Sequence, residues 1–183
     1  MMYYNDIAIE LARLHVMSGA DFIAQLKKIV QMNIFKYVPG EKAILMAEGS
    51  HNGDMQALLD AAHKAVQHGN TVYILPNPQG IRTADFIFEN KGIYKMYDLK
   101  TIAGKGSVSN RLKESVGQTN RVLLNITSDY NPIALARSIR KYFEKTPHAV
   151  EVLIYKRHKY ISVLREDASS RYFFKNFIAK YIK

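Results

Sequence analysis

The run "RVLLNIT" at residues 121–127 constrains the fold most, because its apolar side chains follow one another without the alternation of a half-exposed strand. A strand of that kind is buried on both faces, so other strands must flank it and helices must cover it. The neighbouring sequence supplies them. Upstream, Ser107 or Ser109 caps a predicted helix through Gln118; downstream, Asn131 and Pro132 start another through Phe143. Earlier, Met55, Leu58, Leu59, Ala62 and Val66 recur at helical spacing up to a stop at His68 and Gly69, and "TVYILP" follows as a strand closed by Pro76. "AVEVLIYKRHKYISVLRE" reads as a hairpin turning at Arg157 and His158, and "RYFFKNFIAKYIK" as a final basic, aromatic helix. The order predicts a mixed α/β (α+β) fold with a mixed central sheet flanked by helices.

Ahead of this lies a helical lead-in over residues 1–47, with Ile7, Leu11 and Leu14, then Phe22, Leu26 and Ile29, at helical spacing and Pro39 and Gly40 ending it. The main domain is expected over residues 48–183. With 183 residues, 48% of them apolar, the chain can build one sizeable core. Its 26 Lys and Arg against 16 Asp and Glu give a net charge of +10, which favours a polyanionic partner such as nucleic acid or an acidic protein. Cysteine is absent, which excludes disulfides, thiolate metal sites and thiol nucleophiles. No apolar stretch approaches the roughly 20 residues that span a bilayer, and the N-terminus, broken by Asp6, Glu10 and Arg13, reads as no signal peptide.

The chemistry is expected in "ADFIFENKGIYKMYDLKTI", residues 84–102, which reads as two strands joined by a turn at Glu89 to Gly92. Alternation puts Asp98 and Lys100 on one side of the second strand with Leu99 buried opposite. Antiparallel pairing would bring Asp85, at the start of the first strand, near them. Two carboxylates suit a hard cation, Mg²⁺ or Mn²⁺ with Zn²⁺ as a further option, that bridges a scissile phosphate. Lys100 would position the attacking water or offset charge on the phosphorane. The bland alternative is a capping Asp85 and a strand-end salt bridge between Asp98 and Lys100.

The order of helix, "TVYILP", "ADFIF", "IYKMYDLKTI" and a helix with "NRLKESVGQTNRVLLNI" resembles the PD-(D/E)XK nuclease superfamily. It is most similar to the tRNA nuclease domains at the C-termini of contact-dependent growth inhibition toxins of the CdiA type, with prophage and mobile-element relatives. The resemblance covers roughly residues 48–165, and Ala84 stands where the superfamily has its proline. It implies a restriction-endonuclease-like core and a metal-dependent endonuclease acting on RNA, tRNA above all, with DNA as the other substrate. It further implies a toxin or effector domain delivered within a larger protein, a cytoplasmic site of action and an acidic immunity protein as partner. Asp85, Asp98 and Lys100 then correspond to the catalytic acids and lysine. Asp54, at the start of its helix on a face shared with Leu58, Ala61 and Ala65, takes the place of the first-helix glutamate as a third metal ligand, or is an ordinary helix N-terminal acid favoured by the macrodipole; Glu48 and Asp60 are the other candidates to complete the site.

Lys105, Arg111, Lys156, Arg157 and Lys159 are candidate phosphate contacts, and the resemblance adds Gln118 as a residue lining the site. "TIAGKGS" departs from the phosphate-binding loop pattern at Leu99 and Gly106. Two rival readings remain open: a metal-independent, barnase-like RNase using His158, Arg157 and Lys159, and a non-catalytic nucleic-acid-binding or phage structural module.

Overall fold

The computed structural model describes residues 2–49, 51, 54–104 and 106–183. The chain is a mixed α/β fold that divides into two compact units, residues 1–97 and 98–183. Among the described residues no helix is long and apolar enough to cross a membrane.

The first unit holds α1 (Met2–Arg13), α2 (Gly19–Val30), β1 (Phe35–Tyr37), β2 (Ile44–Ala47), α3 (Met55–Gln67), β3 (Thr71–Ile74), β4 (Phe86–Asn90) and the first half of β5 (Ile93–Ile102). Strands β1 and β2 pair antiparallel, β2 and β3 parallel, and β3, β4 and β5 antiparallel. The helical periodicity at residues 7–29 has its reason here, since Ile7, Leu11, Leu26 and Ile29 form one buried cluster with Ala47, Ala84, Ile87 and Met96. The lead-in therefore shares a core with the hairpin, and it includes the short strand β1, which three residues cannot announce by alternation. Helix α3 buries Leu58, Ala61, Ala62 and Ala65 and packs against β2 and β3.

The β4–β5 turn forms where the sequence predicts it, with Asn90 paired to Ile93. Lys91 and Gly92 take φ of 51° and 80°, the left-handed pair of a type I′ turn, which twists with the strands it joins. The Glu89 carboxylate accepts the Gly92 N–H at 2.7 Å.

The second unit contains the rest of β5, α4 (Val108–Glu114), β6 (Arg121–Ile126), α5 (Pro132–Lys145), β7 (Glu151–Lys156), β8 (Lys159–Leu164), α6 (Arg165–Ser169) and α7 (Phe173–Ile182). As the apolar run requires, β6 is central: it lies parallel to both β5 and β7, and Val122 through Ile126 are buried. Strand β8 returns antiparallel on β7, with Arg157 in the left-handed region at φ 55° in the turn between them. Helices α4, α5 and α7 cover this sheet through Val108, Leu112, Leu135, Ile139, Phe173 and Phe177. Helix α4 stops at Glu114, short of the expected Gln118, because Ser115 and Val116 close 3₁₀-type turns onto Leu112 and Lys113 ahead of Gly117.

The Asn131 side chain caps α5, accepting from the N–H groups of Ile133 at 2.9 Å and Ala134 at 3.0 Å. Replacing it with Ala is expected to cost about 1 kcal/mol, read as a lower urea midpoint at constant slope; an unchanged midpoint would remove the cap from the stability argument.

Candidate functional site

Strand β5 carries its ionisable residues into an apolar setting. Asp98 is 1% exposed and lies opposite Val122 in the β5–β6 ladder. Two residues on and on the same face, Lys100 is followed by Ile102, which belongs to the core beneath α4 and α5. Leu99, expected to be the buried member, is only half-buried, whereas the acid is almost fully enclosed. The alternation was sound; the helices cover the face that the charged residues use.

A buried carboxylate has to be partnered, because water no longer offsets its charge. Asp98 has two partners on one oxygen: the Ser115 hydroxyl donates to Oδ2 at 2.7 Å, and Lys100 Nζ stands 3.2 Å from the same atom. Ser115 is fully buried at the end of α4, so the early stop of that helix delivers the hydroxyl. Glu114, the residue before it, places Oε2 at 4.0 Å from Lys100 Nζ and at 2.9 Å from Arg111 Nη1. Gln118 closes the group by donating to the Glu114 carbonyl at 3.2 Å. On α5, Tyr142 is pushed up to about 12, mainly by burial and further by the charge of Asp98, so it stays a protonated phenol at neutral pH.

The Asp98–Lys100 pair differs from a surface salt bridge, since its side chains are 2% and 12% exposed. Apolar residues of similar volume often stabilise a core as well as a buried ion pair does. Charge retained at such a position marks a candidate functional site. Ser115 and Glu114 join this site although neither residue type signalled chemistry in the sequence. The available hint was that Arg111, Ser115 and Gln118 share one helical face.

Asp85 and Asp54 belong to the first unit. Asp85 is 6% exposed and immediately precedes β4. Its backbone N–H donates to the Tyr97 carbonyl at 3.1 Å and its carbonyl accepts from Leu75 at 2.9 Å, so the hairpin pairs it with the residue that precedes Asp98 in the chain. Asp54 is exposed and caps α3, its carboxylate accepting the Gln56 N–H at 2.9 Å. That is the ordinary use of an acid at a helix start. Of the alternatives, Glu48 pairs with Lys36 at 2.7 Å and Asp60 with Lys64 at 3.1 Å. Among the described residues no three His, Asp or Glu side chains come together as a set able to hold a metal ion.

The remaining candidate contacts separate. Lys156, Arg157 and Lys159 cluster at the β7–β8 turn. Lys156 Nζ lies 3.7 Å from the centre of the Tyr181 ring, and burial, with Lys159 and Arg157 beside it, lowers its pKa. Lys159 donates to the Tyr181 carbonyl at 2.9 Å, and Arg157 stands 3.5 Å from Asp129, both side chains exposed. Arg111 is at the Asp98 site, turned towards Glu114, and Lys105 lies outside the described residues.

The chain has no match among protein-family models, curated proteins or solved structures.

Proposed function

We propose that the chain is a metal-dependent endonuclease that hydrolyses phosphodiester bonds of RNA, with tRNA as its foremost substrate. The observation that carries this reading is the buried Asp98 carboxylate held 3.2 Å from Lys100 at the end of a strand, in a core where an apolar pair would serve stability as well. The net charge of +10 supports a polyanionic substrate. The order of elements around "YDLKTI" supports a nuclease.

The donor chemistry fits a hard cation. Carboxylate oxygens are the available ligands, the chain has no thiolate, and Mg²⁺ is commonly held by only one or two carboxylates with waters and substrate phosphate. Asp98 would hold the ion. Bound there, the ion would polarise the phosphate and supply a water of lowered pKa. Ser115 orients Asp98 through its hydrogen bond, and Lys100, positioned by Asp98, offsets charge developing on the phosphorane oxygens. Glu114 and Arg111 extend the charged group towards solvent, where a phosphate of the chain would be met. Under this reading an effector delivered to another cell would need a neutralising partner with an acidic surface.

Incubating the purified chain with total tRNA and with plasmid DNA in Mg²⁺ or Mn²⁺ tests the proposal. Cleavage of RNA that EDTA stops and added metal restores is the expected result. Cleavage indifferent to EDTA would transfer the chemistry to a metal-independent mechanism, and no cleavage of either substrate with any divalent ion would end the enzyme reading.

A further inference from the structure

Helices α5 and α6 and the segment leading into α7 line an open pocket of about 380 Å³ that shares no lining residue with the Asp98 site. Its walls carry three guanidinium groups, Arg140 of α5, Arg165 of α6 and Arg171 before α7, against one carboxylate, Glu144. Arg140 is fixed from two directions. Its Nε and Nη2 donate to the carbonyls of Ala168 at 3.0 Å and Ser170 at 2.8 Å, and its plane lies 4.5 Å from the centre of the Phe174 ring. Arg165 donates to the carbonyls of Phe143 in the last turn of α5 and of Thr146 and Ala149 beyond it, and its guanidinium lies 5.3 Å from the centre of the Phe143 ring. Arg171 is exposed and bonds the Tyr172 hydroxyl.

Carbonyl oxygens and aromatic faces orient Arg140 and Arg165 without neutralising their charge. Among the described residues none of the three forms an ion pair, in a protein that pairs Arg13, Arg111, Arg121 and Arg157 with acids elsewhere. Neither bond of Arg140 uses its Nη1. Rigidly held guanidiniums match the tetrahedral oxygens of phosphate, and losing little side-chain freedom on binding favours affinity. The excess of two positive charges balances the roughly −1.5 to −2 of a phosphate monoester near neutral pH, and exceeds what one backbone diester needs. A pocket of this volume is at the lower end of the range for small-molecule sites.

We infer that this pocket binds a phosphate monoester, held by Arg140 and Arg171 with Arg165 setting the field of its floor. The monoester belongs either to a free phosphorylated small molecule or to the terminal phosphate of an RNA strand. The site stands independently of the nuclease reading, because none of its residues takes part in that chemistry.

Titration of the ¹⁵N-labelled chain by NMR with inorganic phosphate, with adenosine 5′-monophosphate and with a short RNA bearing either a 5′-phosphate or a 5′-hydroxyl tests the inference. Saturable shifts at the backbone amides of residues 168–171 are expected with the phosphorylated ligands. Arg171→Ala, an exposed position that leaves the fold intact, should weaken binding at least about tenfold, and Arg140→Lys should do the same without unfolding the helices. Tight binding of adenosine monophosphate identifies a free small molecule as the source. Weak binding of that nucleotide with strong preference for 5′-phosphorylated RNA identifies a strand end. Absence of saturable binding of any phosphorylated ligand, or affinity unchanged in both variants, overturns the inference.

Discussion

Asp98→Asn is expected to reduce metal-dependent RNA cleavage on the order of 10³-fold while RNA binding survives, because the amide keeps the shape of the carboxylate but not its charge. The substitution has a structural side as well. It leaves Lys100, only 12% exposed, without its closest anion, and breaking one side of a buried pair costs on the order of 3 kcal/mol. Activity alone therefore cannot separate catalysis from folding. The double variant Asp98→Asn with Lys100→Met removes both charges together and should recover most of the lost stability. If Asp98 is catalytic, this variant folds, binds RNA and cuts nothing. Recovery of cleavage along with stability would make the pair a structural element and place the chemistry elsewhere.

A comparable loss of stability is expected at the start of β7. Glu151 is 2% exposed, opposite Arg121 in the β6–β7 ladder; its Oε1 accepts from Arg121 at 2.6 Å and its Oε2 from the Ser162 hydroxyl of β8. One carboxylate thus joins three adjacent strands. Glu151→Ala strands the Arg121 guanidinium and removes the acceptor of a hydroxyl, a loss of about 3 kcal/mol. Urea unfolding followed by far-UV circular dichroism measures it as a lower midpoint at unchanged slope. Arg121→Ala should cost a similar amount, because it takes the guanidinium partner from the buried Glu151 carboxylate. A Glu151→Ala loss below about 1 kcal/mol would show that the network does not hold these strands.

Local rules were sufficient for most elements. Pro132 after Asn131 started α5, the left-handed pair Lys91 and Gly92 sat in the expected turn, and the apolar run of β6 found its central position between two parallel strands. Each depends on residues adjacent in sequence or on a period of 2 or 3.6, so each was legible without a partner element. β1 and α6 were not, being three and five residues long and held by what they pack against. The early end of α4 escaped for a related reason: nothing in "KESVGQ" says that Ser115 is needed at Asp98.

The candidate site divides in the same way. The sequence by itself determined that Asp98 and Lys100 share a face, that Asp54 stands at a helix start, and that the chain carries excess positive charge. Only the tertiary structure decided which face of β5 is covered, so that Asp98 became the buried residue and Leu99 the half-exposed one. It also decided that Ser115 and Glu114 complete the group around Lys100, and that Asp54 spends its carboxylate on the α3 N-terminus. The physical reason is that alternation relates neighbours along one strand, whereas burial depends on which helices pack there, and that packing is set by residues far away in the chain.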